Sequence, residues 1–129
     1  MEPGHLTDLV KKYVKSEFAK LKSKNHLTVE CISSGKPWLS DVNHWNFVAG
    51  AKAMEKVWHV KPDYTREGGS IPVTLTFQNV LKKNVLLLPI GACDDGAHST
   101  NEKIDRKNFI EGIKVLASYL HQLSIVKRK

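Results

Sequence analysis

Apolar positions recur at helical spacing through the first twenty residues. Leu6, Leu9, Val10, Tyr13, Val14, Phe18 and Leu21 fall on one side of a helical wheel, which predicts an amphipathic helix with one buried stripe. From His26 to Ile32 the period changes to two: Leu27, Val29 and Cys31 alternate with Thr28 and Glu30, the pattern of a strand. Ser33-Ser34-Gly35-Lys36-Pro37-Trp38 breaks that pattern and marks the expected domain boundary, between 1–34 and 35–129. Helical spacing returns from Asn43 to Trp58, with Phe47, Ala51, Met54 and Trp58 on one face. His59 to Asp63 reads as a turn, and Pro62 ends regular structure.

Tyr64 to Glu67 is a short extended piece leading into Gly68-Gly69-Ser70. Two signals then compete. Val73, Leu75 and Phe77 alternate with Thr74 and Thr76, as in a strand. Ser70 ahead of Pro72 is a helix start, a hydroxyl cap followed by a proline whose missing N–H costs nothing in the first turn. The helix is the preferred reading. Asn84 to Ile90 is nearly all apolar, which fits a strand of a parallel or mixed sheet covered on both faces. The loop 91–104 follows. Asp105 then caps a last helix, with Phe109, Ile110, Ile113, Leu116, Ala117 and Leu120 at helical spacing. The helix–strand–loop–helix order of this half predicts an α/β layer, and the opening helix and strand suit an α+β one. There is no internal repeat and no low-complexity segment.

Composition changes little in that picture. The 129 residues, 41% hydrophobic and 26% charged, are near the globular average, so one core is feasible and wholesale disorder is not expected. No apolar run approaches the roughly 20 residues that span a bilayer. Met1 to Leu9 has no hydrophobic block, so a secretory signal is not expected. Cys31 and Cys93 are too few for a disulfide scaffold and read as reduced thiols, which makes a cytosolic location the expectation. The net charge of +7 is scattered over the chain and a basic tail, Lys127 to Lys129. No recognition motif accompanies it, so it reads as a solvated surface, with neither nucleic acid nor membrane as a partner.

The loop Gly91-Ala92-Cys93-Asp94-Asp95-Gly96-Ala97-His98-Ser99 is the strongest site candidate. It begins where a buried strand ends, the place where α/β sheets gather ligands. Asp94, Asp95 and His98 are donors that suit zinc or manganese, and Gly91 and Gly96 let the backbone turn closely. On spacing alone, a metal site and a polar loop with two turn-forming or helix-capping aspartates both stay open. Gly68-Gly69-Ser70 could bare backbone N–H groups to an anion, or simply form a capped turn; it lacks the ending of a phosphate loop. His5, His26, His44, His59 and His121 stand in separate contexts and read as surface or satisfied residues. Trp38, Trp45 and Trp58 read as packing residues.

Taken together, Thr65 to Pro72, Asn84 to Gly91, Asp94 to Ser99, Asn101-Glu102-Lys103-Ile104 and Phe109-Ile110-Glu111-Gly112 resemble the C-terminal end of the cytosolic non-specific and carnosine dipeptidases, in the aminoacylase-type metallopeptidase family. The likeness runs from about Leu6 to Ser124 and rests on the order and spacing of several motifs. It implies an α/β catalytic domain with an inserted α+β lid that also dimerises. It further implies two divalent ions, zinc or manganese, and hydrolysis of a dipeptide by an ion-held water with a Glu as general base. On the resemblance, 1–34 is the end of the lid and 35–129 the returning catalytic domain. His98 is a metal ligand that also touches substrate, and Ser70 binds substrate. The remaining ligands and the base belong to a part of the family's proteins that this chain does not contain. Ser33 stands where the cytosolic members carry a His. One ligand cannot hold two ions that each need about four to six donors, so the chain is expected to be inactive alone. The alternative is a non-catalytic interaction or dimerisation piece, joined through an open sheet edge.

Overall fold

The structure, a computed structural model, describes residues 1–66 and 71–127. Its described regular elements are four helices: α1 (Pro3–Lys20), α2 (Trp45–Trp58), α3 (Pro72–Leu81) and α4 (Arg106–Ile125). Among the described residues, no helix is long and apolar enough to cross a membrane. The chain divides into two units, one of Met1–Leu39 with Gly69–Thr76 and one of Ser40–Gly68 with Phe77–Lys129.

In the first unit, α1 opens on Pro3, whose fixed φ suits the first turn, and ends at Leu21 and the left-handed Lys22. The periodicity found this helix, but the expected buried stripe is absent. No residue of α1 is buried, and Leu6, Leu9, Val10 and Tyr13 are all exposed. Residues 26–32 are extended beside it: Thr7 Oγ1 donates to Cys31 Sγ at 3.6 Å, and Leu27 and Val29 are half-buried while Thr28 and Glu30 are exposed. The expected alternation holds at Leu27 and Val29 but not at Cys31, which is exposed; among the described residues the segment joins no ladder, and Ile32 is 99% exposed. Helix α3 crosses the division after Thr76. Its first turn carries Pro72, with Thr74 Oγ1 donating to the Ile71 carbonyl at 2.8 Å. The helix-start reading therefore overrides the alternation of Val73 to Phe77. Ser70, the expected cap, lies outside the described residues.

The second unit is built on α2, the extended segment 84–90, and α4. Both expected helices form, but neither buries its predicted face. The buried residues of α2 are Asn46, Ala49, Gly50 and Ala53, not Phe47, Ala51, Met54 and Trp58. In α4 the covered face is Asn108, Gly112, Val115 and Tyr119, while Phe109, Ile110, Ile113, Leu116 and Leu120 are exposed. The reason is close approach. A Cβ on Gly50 would lie 2.5 Å from Leu86 Cδ2, and one on Gly112 would lie 2.9 Å from Ile90 Cβ. Only positions without bulk at 50 and 112 allow the two helices to lie that near the extended segment, and in α4 the large apolar side chains of Phe109, Ile113, Leu116 and Leu120 are left on the exposed side.

Asn46 ties the three pieces together. Its Nδ2 donates to the backbone and side-chain oxygens of Asn84, each at 3.1 Å, and its Oδ1 accepts from the Tyr119 hydroxyl. Asn84 in turn donates to Ser40 Oγ at 2.7 Å. Burial pushes the Tyr119 phenol above its ordinary value, which keeps it a donor at neutral pH. Segment 84–90 shows Leu86, Leu88 and Ile90 half-buried, with Leu87 and Pro89 exposed. The expected strand covered on both faces is therefore covered on one. Nor is it a strand among the described residues, since no neighbour lies alongside to close a ladder. The α/β expectation is corrected accordingly: the described regular structure is helical.

Two substitutions probe this packing. Asn46→Ala strands the Tyr119 hydroxyl and the Asn84 groups, and is expected to cost about 2 kcal/mol, seen as a lower urea midpoint. Gly112→Ala sets a Cβ against Ile90, and is expected to destabilise by about 1–2 kcal/mol despite its better helix propensity. Gly4→Ala, in α1 with nothing within 4 Å of the added Cβ, meets no clash and is expected to be neutral to slightly stabilising in the same measurement.

Candidate functional site

The loop between segment 84–90 and α4 is a chain of short turns. Asn108 Nδ2 pins its root by donating to the Ile90 carbonyl at 3.0 Å. Ala92 N–H donates to Asp95 Oδ2 at 2.8 Å, and Gly91 leaves room for that carboxylate, because a Cβ there would sit 2.6 Å from the same oxygen. Asp95 N–H returns to the Ala92 carbonyl at 3.3 Å, Ser99 N–H to Gly96 at 2.9 Å, and Lys103 N–H to the Asp95 carbonyl at 2.9 Å. Gly96 and His98 both take φ 65°, the left-handed region. For Gly96 that is free; for His98 it costs about 1–2 kcal/mol and must be held by its surroundings. The His98 side chain is exposed.

Lys103 supplies the electrostatics. Its Nζ lies 3.2 Å from Asp94 Oδ2, 3.4 Å from Asp95 Oδ1 and 3.1 Å from Asp105 Oδ1. Asp105, and then Asp94, hold the lysine ammonium well above its ordinary value, and Lys103 holds the Asp94 carboxyl below its own. Lys103 was not among the residues singled out from the sequence. Its signal there is faint: one cation among the acids 94, 95, 102 and 105.

The three donors named from the sequence thus separate. Asp94 and Asp95 are engaged by Lys103, Asp95 largely covered and Asp94 still exposed, while His98 is exposed and takes no part in that cluster. Among the described residues no three His, Cys, Asp or Glu side chains group so as to hold a metal ion. The residues present therefore do not fit a complete ion site. Asp105 stands at the N-cap of α4, as expected, but makes no side-chain cap and gives its carboxylate to Lys103 instead. Ser70 lies outside the described residues. His44 is the N-cap of α2, its Nδ1 accepting from Asn46 N–H at 3.1 Å; His5, His26, His59 and His121 are exposed. Cys31 and Cys93 are free and exposed. Beside the loop's root is an apolar cleft of about 290 Å³, walled by Met54, Trp58, Val60, Pro62, Pro89 and Ile90.

Comparison with known proteins adds the context. The family model described as peptidase family M20/M25/M40 matches residues 1–122. The chain is 52% identical over 126 residues to the Cys-Gly metallodipeptidase of Schizosaccharomyces pombe, covering 98% of this chain and 26% of that protein. It is 36% identical over 115 residues to the Beta-Ala-His dipeptidase of Homo sapiens, covering 89% of this chain and 23% of that one. Among solved structures, a di-peptidase of Saccharomyces cerevisiae superposes with a TM-score of 0.84 at 50% identity, over 96% of this chain and 26% of the other. Human carnosine dipeptidase superposes with a TM-score of 0.82 at 32% identity and the same coverage. The chain thus spans about a quarter of the length of the relatives it matches.

The Asp94–Lys103 pair sets a pH dependence. Because the folded Asp94 carboxyl sits below its ordinary 3.8, its contact is fully present above that pH and is lost as pH falls through the lowered value. A carboxyl-carbon NMR titration is expected to show Asp94 with a midpoint below 3.8, returning to the ordinary range in Lys103→Met.

Proposed function

This chain belongs to peptidase family M20/M25/M40, and from that membership we propose that it is the C-terminal part of a metal-dependent dipeptidase, acting on Cys-Gly- or carnosine-like dipeptides. The observation that carries the reading as a part is α4. It covers one face with Asn108, Gly112, Val115 and Tyr119, and leaves a second, apolar face of Phe109, Ile113, Leu116 and Leu120 in solvent. A helix packed on one side that still leaves a second, apolar side uncovered fits the interior of something larger. The quarter-length match to metallodipeptidases supports the same reading.

Within it, residues 1–34 are the end of a lid that also dimerises, and 35–129 are part of the catalytic domain. His98 is one ligand of a pair of divalent ions, zinc or manganese, and touches the substrate; Ser70 also binds substrate. The protein is a cytoplasmic homodimer with no nucleic-acid or membrane partner. The other ligands and the general base come from outside this chain, so the chain alone is inactive. Ser33, in place of a family His, weakens the site further. A second reading is favoured by the unpaired segments 26–32 and 84–90: a non-catalytic piece that associates with another chain through those edges.

Three measurements separate these. The purified chain with Mn²⁺ is expected to show no turnover of Cys-Gly. A graft in which it replaces the matching quarter of the Schizosaccharomyces pombe relative is expected to hydrolyse Cys-Gly within about tenfold of the parent, about 1.4 kcal/mol in barrier. An inactive but folded graft would overturn the dipeptidase reading, and turnover by the chain alone would overturn its incompleteness. Light scattering that finds a folded, monodisperse monomer would remove the second reading.

A further inference from the structure

Three aspartates converge on one ammonium in the 91–105 loop, and a strained histidine sits between the residues that make the convergence. We propose that Asp95 and Lys103 are positioning residues for His98: together they fold the loop and hold His98 in its left-handed conformation before any ion arrives. This rests on the reading of His98 as a site residue.

The geometry gives each a distinct task. Asp95 closes the loop with three of its groups. Its Oδ2 accepts from Ala92 N–H, its backbone carbonyl accepts from Lys103 N–H at 2.9 Å, and its Oδ1 faces Lys103 Nζ at 3.4 Å. Its carboxylate is 14% exposed, in the space Gly91 leaves by having no side chain. Lys103 spans the loop from the other end. An ammonium has three hydrogens and no acceptor, and here three carboxylates lie within 3.4 Å of it. It neutralises acids that would otherwise repel one another across a tight turn, the task that a bound cation performs in many acidic loops. Its proton is held far more tightly than an ordinary lysine's, with Asp105 the first cause. The backbone bond between Asp95 and Lys103 brackets residues 96–102, so both left-handed residues, Gly96 and His98, lie inside a segment fixed at its two ends. A short segment pinned at both ends has few conformations left, and that is what can hold a non-glycine residue in a disfavoured region. His98 itself has no part in the clamp, which leaves its ring free.

The test uses the full chain in the presence of a chelator, read by NMR. His98 is followed through its ring protons and its intraresidue HN–Hα NOE, with His5, His26, His44, His59 and His121 as controls in the same spectrum. In the chelated wild type, the Ala92 and Lys103 amides are expected to exchange at least about tenfold more slowly than free peptide, and His98 to show the strong intraresidue HN–Hα NOE of a positive φ. Lys103→Met and Asp95→Asn are expected to remove that protection and move the His98 signals alone, and Lys103→Arg to restore them. Unchanged His98 signals and protection in folded Lys103→Met and Asp95→Asn would overturn the proposal. So would a wild-type loop unprotected in chelator that becomes protected only when Mn²⁺ is added. If a variant fails to fold, shifting all six histidines, the chelated wild type still decides. No readout involves catalysis, so an inactive graft beside a protected loop removes the dipeptidase reading and keeps the clamp, and the reverse result does the opposite.

Discussion

The second unit depends on one buried amide. Asn46, 7% exposed, uses both amide hydrogens on Asn84 and its oxygen on Tyr119, so a single side chain joins α2, the extended segment and α4. The net gain from each such bond is modest, but the cost of leaving any buried member unpaired is large. That asymmetry fixes the register of the three pieces. With Asn46 satisfied, Gly50 meets Leu86 and Gly112 meets Ile90. The fully buried apolar residues, Ala49, Ala53 and Val115, are few and small. The core of this unit is therefore specified by hydrogen bonds and close approach more than by hydrophobic bulk.

That balance explains what the sequence made legible. Helical periodicity located α1, α2 and α4, because the period of apolar residues follows backbone geometry whatever eventually covers them. It misassigned the buried faces for the same reason. By that rule large apolar residues mark the covered side, whereas in α4 they are exposed and the covered side is marked by Asn108, Gly112, Val115 and Tyr119. The alternation in 26–32 and the apolar run in 84–90 read as strands. They do not become strands among the described residues, since a ladder is a property of two segments and no second one lies beside either. In α3 a local rule, proline in the first turn, outweighed a competing alternation.

The loop was legible as a place and not as a mechanism. Its glycines, acids and His98 stood out by type and by following a buried segment. Their division of labour did not, because it turns on Lys103, whose contacts with Asp94 and Asp95 span eight or more positions and leave no periodic trace. The structure pairs the aspartates with Lys103 and leaves His98 outside that cluster; in the proposal above they clamp the loop and His98 is presented. Preorganisation of this kind is how a site keeps its geometry at little cost when its ligand arrives.

The second face of α4 has a consequence in colloid chemistry. Phe109, Ile113, Leu116 and Leu120 form an adhesive strip on a chain that carries a net charge of +7. Like charge keeps the strips of neighbouring molecules apart over roughly 30 Å at 0.01 M salt, but only about 8 Å at 0.15 M. The free chain therefore disperses best in dilute buffer and clusters as salt is raised, the reverse of a protein whose adhesion is ionic. Occupying the strip with its proper cover would abolish that salt sensitivity, which makes turbidity against ionic strength a direct gauge of whether α4 has found its place.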